Sequence, residues 1–143
     1  MGHEIGAVDN FTHDALASKS NLNTLVGGQI WRKRAKQGAT MPYCLFGFQS
    51  GQDVQGLGDV RLLTRPLYFA KLVFLGPSIT SAIDTALDEL DDAMAKVKVA
   101  VSGGYVISAR RFSVLDYDEA GVNNEQIIHR GGLYRLEVSP SGA

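Results

Sequence analysis

The sequence predicts an α+β fold: a mainly antiparallel sheet with helices on one face, in the order α-β-β-β-α-β-β. Three observations predict it. Residues 79–97 repeat apolar side chains at spacings of three and four, the period of a helix with one buried face. Residues 43–48 and 65–75 are apolar runs of strand length. Paired glycines or Gly-Pro stand where the periodic segments stop. Two helices and a run of strands without regular strand–helix alternation pack as two layers.

Taken in order, the first helix is expected over Thr12–Val26. Ala15, Leu22, Leu25 and Val26 share a face, with Phe11 as a staple and Gly27-Gly28 as the stop. Ser18, Ser20, Asn21, Asn23 and Thr24 make it an unusually polar helix. Gln29–Arg34 is a short strand, AKQGATMP a polar turn, and YCLFGF (43–48) a strand covered on both faces. Residues 49–64 contain SGQDVQGLGDVR, with no helical period and several glycines, and are expected to form a mobile loop or a splayed hairpin tip. Arg65–Leu75 is the second strong strand, ended by Gly76-Pro77.

The long helix then runs from Ile79 to Val97 with Ser78 as N-cap. Asp84, Asp88, Asp91 and Asp92 fall opposite its apolar face, and Lys96 and Lys98 sit near the negative end of its dipole. Gly103-Gly104 turns the chain into a strand over Tyr105–Leu115, DYDEAGVNNEQ is a polar loop, and EQIIHRGGLYRLEV closes a single domain, 1–143. Residues 1–10 and 139–143 are expected to be flexible tails.

The third strand raises a packing problem. Leu67, Phe69, Val73 and Leu75 address one side of the sheet and Tyr68, Ala70, Leu72 and Phe74 the other. Helices on one face leave the second set in water, where large apolar patches mark interaction sites. The expectation is that other subunits cover it.

Composition narrows the function. Fourteen Lys+Arg against fifteen Asp+Glu give a net charge of −1, which argues against a dedicated nucleic-acid binder. One cysteine, Cys44, excludes an internal disulfide framework and a multi-cysteine zinc site, and fits a reducing, cytoplasmic origin. The longest apolar run, Leu67–Leu75, is interrupted by Lys71 and is too short to span a membrane. The N-terminus lacks a secretory signal pattern.

No catalytic, metal or cofactor site emerges. His129-Arg130 beside Asp116 or Asp118 has the ingredients of an acid–base pair, but no serine or cysteine stands in a nucleophile context. His3, His13 and His129 share no metal-ligand spacing. Gly131-Gly132 point instead to a bulge or a close backbone approach, a kink that frees His129 and Arg130 to reach a partner. Asp116, Asp118 and Glu119 lack the spacing of an ion-binding loop, and Gly51, Gly56 and Gly58 do not form a phosphate loop. Trp31, Arg32, Lys33, Arg34 and Lys36 form the one basic cluster, suited to a single-stranded nucleic acid or to an acidic surface on another subunit, such as the long helix. The candidate subunit interface is Trp31, Arg32, Arg34, Asp53, Arg61, Tyr68, Phe69, Asp88, Asp92, His129 and Arg130.

Three segments carry a resemblance: LVGGQIWRKRAKQGATMPYCLFGF (25–48), LYFAKLVFLGPSITSAIDTALDEL (67–90) and the closing HRGGLYRLEV. In order and spacing the chain resembles the tail-completion, or tail-terminator, proteins of long-tailed bacteriophages. The resemblance implies a structural, non-enzymatic role with no cofactor. Such proteins form rings, commonly hexamers, that cap the tail tube protein and dock a head–tail connector or stopper protein. DNA only passes through the lumen, and no membrane is involved. It further implies a place in the virion neck after synthesis in the bacterial host cytoplasm, in a phage, a prophage or a gene-transfer particle. The polar first helix and the DYDEAGVNNEQ loop depart from the pattern. A head-closure or connector ring of the neck is the alternative, and a small α+β enzyme or ligand-binding dimer ranks below it.

Overall fold

A computed structural model describes residues 2–55, 61–78, 80–94, 99–101, 105–121 and 124–140. The elements are α1 (Gly2–Ala17), α2 (Ser20–Val26), β1 (Ile30–Arg32), β2 (Tyr43–Gln55), β3 (Arg61–Leu75), α3 (Ser81–Met94), β4 (Val99–Val101), β5 (Tyr105–Ala120) and β6 (Gln126–Pro140). The strands form one sheet in the order β1-β2-β3-β6-β5-β4. Only the β1–β2 pair is parallel. The α+β class and the mainly antiparallel sheet expected from the sequence are both present.

The N-terminal region differs from expectation. Residues 2–10, expected as a tail, are helical, and Val8 is fully buried. The single helix expected over 12–26 is two. Lys19 adopts an extended backbone (φ −86°, ψ 111°) between them, while the Ser18 hydroxyl turns back to donate to the Ala15 carbonyl at 2.7 Å. That local bond satisfies a carbonyl at the end of α1 and stops the helix. At the other end of α2, Gly27 sits in the left-handed region (φ 61°) and closes the last turn, as its sequence position predicts.

The strands are longer than their apolar runs. Residues 51–55 and 61–64, expected as a mobile loop or a splayed hairpin tip, are a hairpin arm that continues the β2–β3 ladder, with residues 56–60 outside the described set. Residues 116–120, expected as loop, extend β5, and β4 is a short strand the sequence reading lacks. Thr80 takes the N-cap place expected for Ser78: its carbonyl accepts from the amides of Ile83 (3.1 Å) and Asp84 (3.4 Å). Ser78 belongs to a 3₁₀ turn over Gly76–Ser78.

The helices cover one face of the sheet. Tyr68, Ala70, Leu72 and Phe74 of β3 meet Leu16 of α1, Leu22 and Val26 of α2, and Ile83, Ala86 and Leu90 of α3 in one core. Cys44, Phe46, Ile128, Tyr134, Leu136 and Val138 complete it from β2 and β6. The opposite side of β3 is less bare than expected. Val73 is fully buried between its ladder neighbours Tyr43 and His129, and Leu67, Phe69 and Leu75 are half-buried.

The glycine pair in β6 is a close approach and not a bulge. Register with β3 runs unbroken from Leu75↔Ile127 to Leu67↔Arg135, so Ile128, Gly132, Tyr134 and Leu136 share the helix-facing side without any switch. A side chain on Gly131 would place its Cβ 2.1 Å from the Ala70 carbonyl oxygen and 2.5 Å from the Lys71 Cα. At Gly132 the nearest atoms belong to the Tyr134 ring, which folds back over it.

Candidate functional site

Three polar clusters and one bare strand edge are the features with interaction chemistry. On the open sheet face, the Lys71 ammonium donates to the Tyr117 hydroxyl at 2.6 Å and lies 5.4 Å from the Phe69 ring centre. The Tyr117 ring stacks on His129 at 4.6 Å with an interplanar angle of 5°. His129 Nε2 is 2.6 Å from Glu119 Oε1. Register explains the grouping: Lys71 faces Gly131, and Tyr117 faces His129, so the four side chains rise on adjacent strands from one side of the sheet. Burial, and secondarily the Glu119 charge, pushes the nearby Tyr43 phenol up from its ordinary range. A groove of about 460 Å³ opens here between Phe48, Phe69, Lys71, Leu115 and Tyr117.

The second cluster ties α3 to the sheet. Tyr134 donates to Asp91 at 2.8 Å, and Arg111 reaches the same carboxylate oxygen at 3.7 Å. Burial and then this bond push the Tyr134 phenol up. Arg130 Nε lies 3.4 Å from Asp116, and its guanidinium carbon is 5.8 Å from the Phe74 ring centre. A groove of about 190 Å³ lies between α3 and this cluster, with Asp88 and Val114 on its rim. The third cluster is centred on Asp9, which accepts from Tyr68 at 2.7 Å and from Arg32 at 3.2 Å.

The bare edge is β5. β4 pairs only with residues 105–107, and among the described residues no other strand lies beyond β5. From Arg110 to Ala120 every residue except Leu115 is exposed. Among the described residues, the exposed large hydrophobics are Phe112 (58%), Val114 (60%) and Tyr117 (46%), all on this strand.

The interface residues expected from sequence are scattered by the fold. Tyr68 is fully buried in the core, held by Asp9, and presents nothing to a neighbour. His129 is 8% exposed and Arg130 half-buried; both are engaged within the domain and do not reach outwards. Asp92 pairs with Lys19 of the segment between α1 and α2. Trp31 is half-buried opposite Leu45. Arg32, Arg34 and Asp88 are exposed and Phe69 half-buried. Asp53 and Arg61 stand on the hairpin arm, and their side chains lie outside the described set. Sequence reading offered Asp116 or Asp118 to His129 and missed its partners Glu119 and Tyr117, and Lys71 as the partner of Tyr117. The signal was present in strand parity, but it required the β5–β6 register.

Among the described residues, no group of three or more His, Cys, Asp or Glu is placed to hold a metal ion. No helix among them is long and apolar enough to cross a membrane.

No protein-family model matches the chain, and no curated protein aligns with it. Solved structures are similar to it in fold. One is a chain of the virion of a native gene transfer agent (GTA) particle, with a TM-score of 0.66 and 14% identity, covering 95% of this chain and 97% of that one. Another solved chain reaches a TM-score of 0.55 at 15% identity, covering 95% of this chain and 94% of that one.

Proposed function

We propose that this protein is a structural subunit of a phage-like particle and, within it, a tail terminator: a ring, hexameric in the family it resembles, that caps the tail tube and docks the head connector. The observation that carries the reading is the end-to-end likeness of fold to a chain of a gene transfer agent virion, which covers nearly all of both chains. The three resembling sequence segments lie in α2–β2, β3–α3 and β6, the framework of that fold. An open sheet with a partly apolar uncovered face and a long strand bare along one edge suits a subunit whose surface is completed by others. The charged groups described above are engaged in bonds that hold the domain together, which suits a structural part.

The test is assembly and position. Light scattering and negative-stain imaging of the purified protein, alone and mixed with headless tails, should reveal rings seated at the head-proximal end of the tube. A protein that stays monomeric at all concentrations and leaves tail ends bare removes the proposal. Rings that bind the head-side adaptor and ignore tails reassign the protein to head closure.

A further inference from the structure

We infer that the subunits join edge to edge, with the acidic free edge of β5 in one copy receiving the basic β1 segment of the next. The inference rests on the reading of the protein as a ring-forming subunit and specifies the surface that builds the ring.

β5 and β1 lie towards opposite ends of the sheet order, with β4 covering only the first residues of β5. A bulge at Phe112 interrupts the β5–β6 ladder between Arg111 and Ser113, so the regular free edge runs from Ser113 to Ala120, about 26 Å of strand. Unpaired strand edges recruit other strands. This edge exposes Val114 and Tyr117 to water, and its bulge and its acidic side chains turn away a like edge while leaving a basic one able to approach.

Charge selects the occupant. Residues 113–120 contain Asp116, Asp118 and Glu119 and no base. Residues 30–36 contain Arg32, Lys33, Arg34 and Lys36 and no acid, and all four are exposed. Two β5 edges repel each other, and two β1 segments do the same, so pairing of like edges is disfavoured. Pairing of unlike edges is favoured, and a contact between two different patches repeats from copy to copy, closing a ring when the rotation permits. The acidic residues of α3 fit this role less well: they stand on a helix packed over the covered face of the sheet and offer no strand edge to β1.

The test is charge reversal with complementation. One variant, Ser113→Lys with Asp118→Lys and Ala120→Lys, turns the net charge of residues 113–120 from acidic to basic at exposed positions; a second, Lys33→Glu with Arg34→Glu and Lys36→Glu, turns the β1 segment from basic to acidic. Unchanged thermal unfolding confirms that each monomer is folded. Each variant alone should lose the assembled species, because one of its two contact patches now repels the other. Mixing the two should restore assembly as alternating copies, and combining all six substitutions in one chain should restore it within a single protein. Both recoveries should be lost in high salt. Wild-type rings together with full assembly of either variant alone overturn the edge-to-edge contact and leave the tail-terminator reading standing. A wild-type protein that forms no ring, alone or on tails, overturns both.

Discussion

Glu89 of α3 accepts the backbone amide of Leu22 at 3.0 Å through one carboxylate oxygen and the Asn21 side-chain amide at 2.7 Å through the other. It therefore caps the N-terminus of α2 from a different helix. The cap is needed because α2 has only seven residues and Lys19, at its N-cap, supplies no side-chain acceptor. These bonds hold the Glu89 carboxyl below its ordinary range, the Leu22 amide first among them, with Lys19 adding a smaller pull. A lowered carboxyl contributes stability that is complete above the unfolded value, about 4.3, and is lost as pH falls through the native value. Glu89→Ala should lower the urea midpoint at neutral pH and reduce the loss of stability on acidification below about pH 4.3. An identical pH profile for variant and parent would show that the cap contributes nothing.

Gly131→Ala tests the close approach of β3 and β6. The new methyl group meets backbone atoms of Ala70 and Lys71, which cannot rotate away as a side chain does. The two central strands must separate, at a cost on the order of 1–3 kcal/mol or more. Gly132→Ala meets first the Tyr134 side chain, at 3.0–3.1 Å, and should cost less. Chemical denaturation of both variants should rank them in that order; a neutral Gly131→Ala would mean that the strands are further apart than described.

The same glycines show how much of this protein was legible in its sequence. Helical period and apolar runs located α3, β2, β3, β5 and β6, because burial writes those patterns directly. Strand ends were not legible: residues 116–120 are largely acidic and 51–55 are polar with a glycine, yet ladder pairing carries them beyond the core. Residues 2–10 read as a tail because only Val8 among the side chains described there is buried. The basic cluster at 31–36 was visible as composition. That it stands across the sheet from an acidic edge depends on strand order, which no local pattern encodes. His129 and Tyr68 are engaged inside the domain for a related reason: the β5–β6 register stacks Tyr117 on His129, and helix packing brings Asp9 of α1 to the Tyr68 hydroxyl, neither of which a local pattern encodes.

Arg130→Ala should now act on the fold of the single subunit. The side chain is half-buried, lies over Phe74 and approaches Asp116 within the domain. Losing that packing and the partly screened ion pair should cost roughly 1 kcal/mol of stability. The expected readout is a lower thermal midpoint of the monomer, before any effect on ring formation. A variant with an unchanged midpoint and lost assembly would return Arg130 to the subunit interface.

Cys44 offers a probe of the whole core. It is the only cysteine, fully buried on β2 beside the helices, and burial pushes its thiol up to about 12. The reactive species is the thiolate, so at pH 8 roughly one thiol in ten thousand is in that form, and it is shielded from reagent as well. A thiol-specific reagent should therefore label the native protein only as fast as the β2 region opens, and should reach one equivalent promptly in urea. Ring assembly should slow native labelling further if the subunit is stabilised by its neighbours. Prompt stoichiometric labelling in native buffer would mean that the β2 side of the core is open to solvent and that the helices do not close over it.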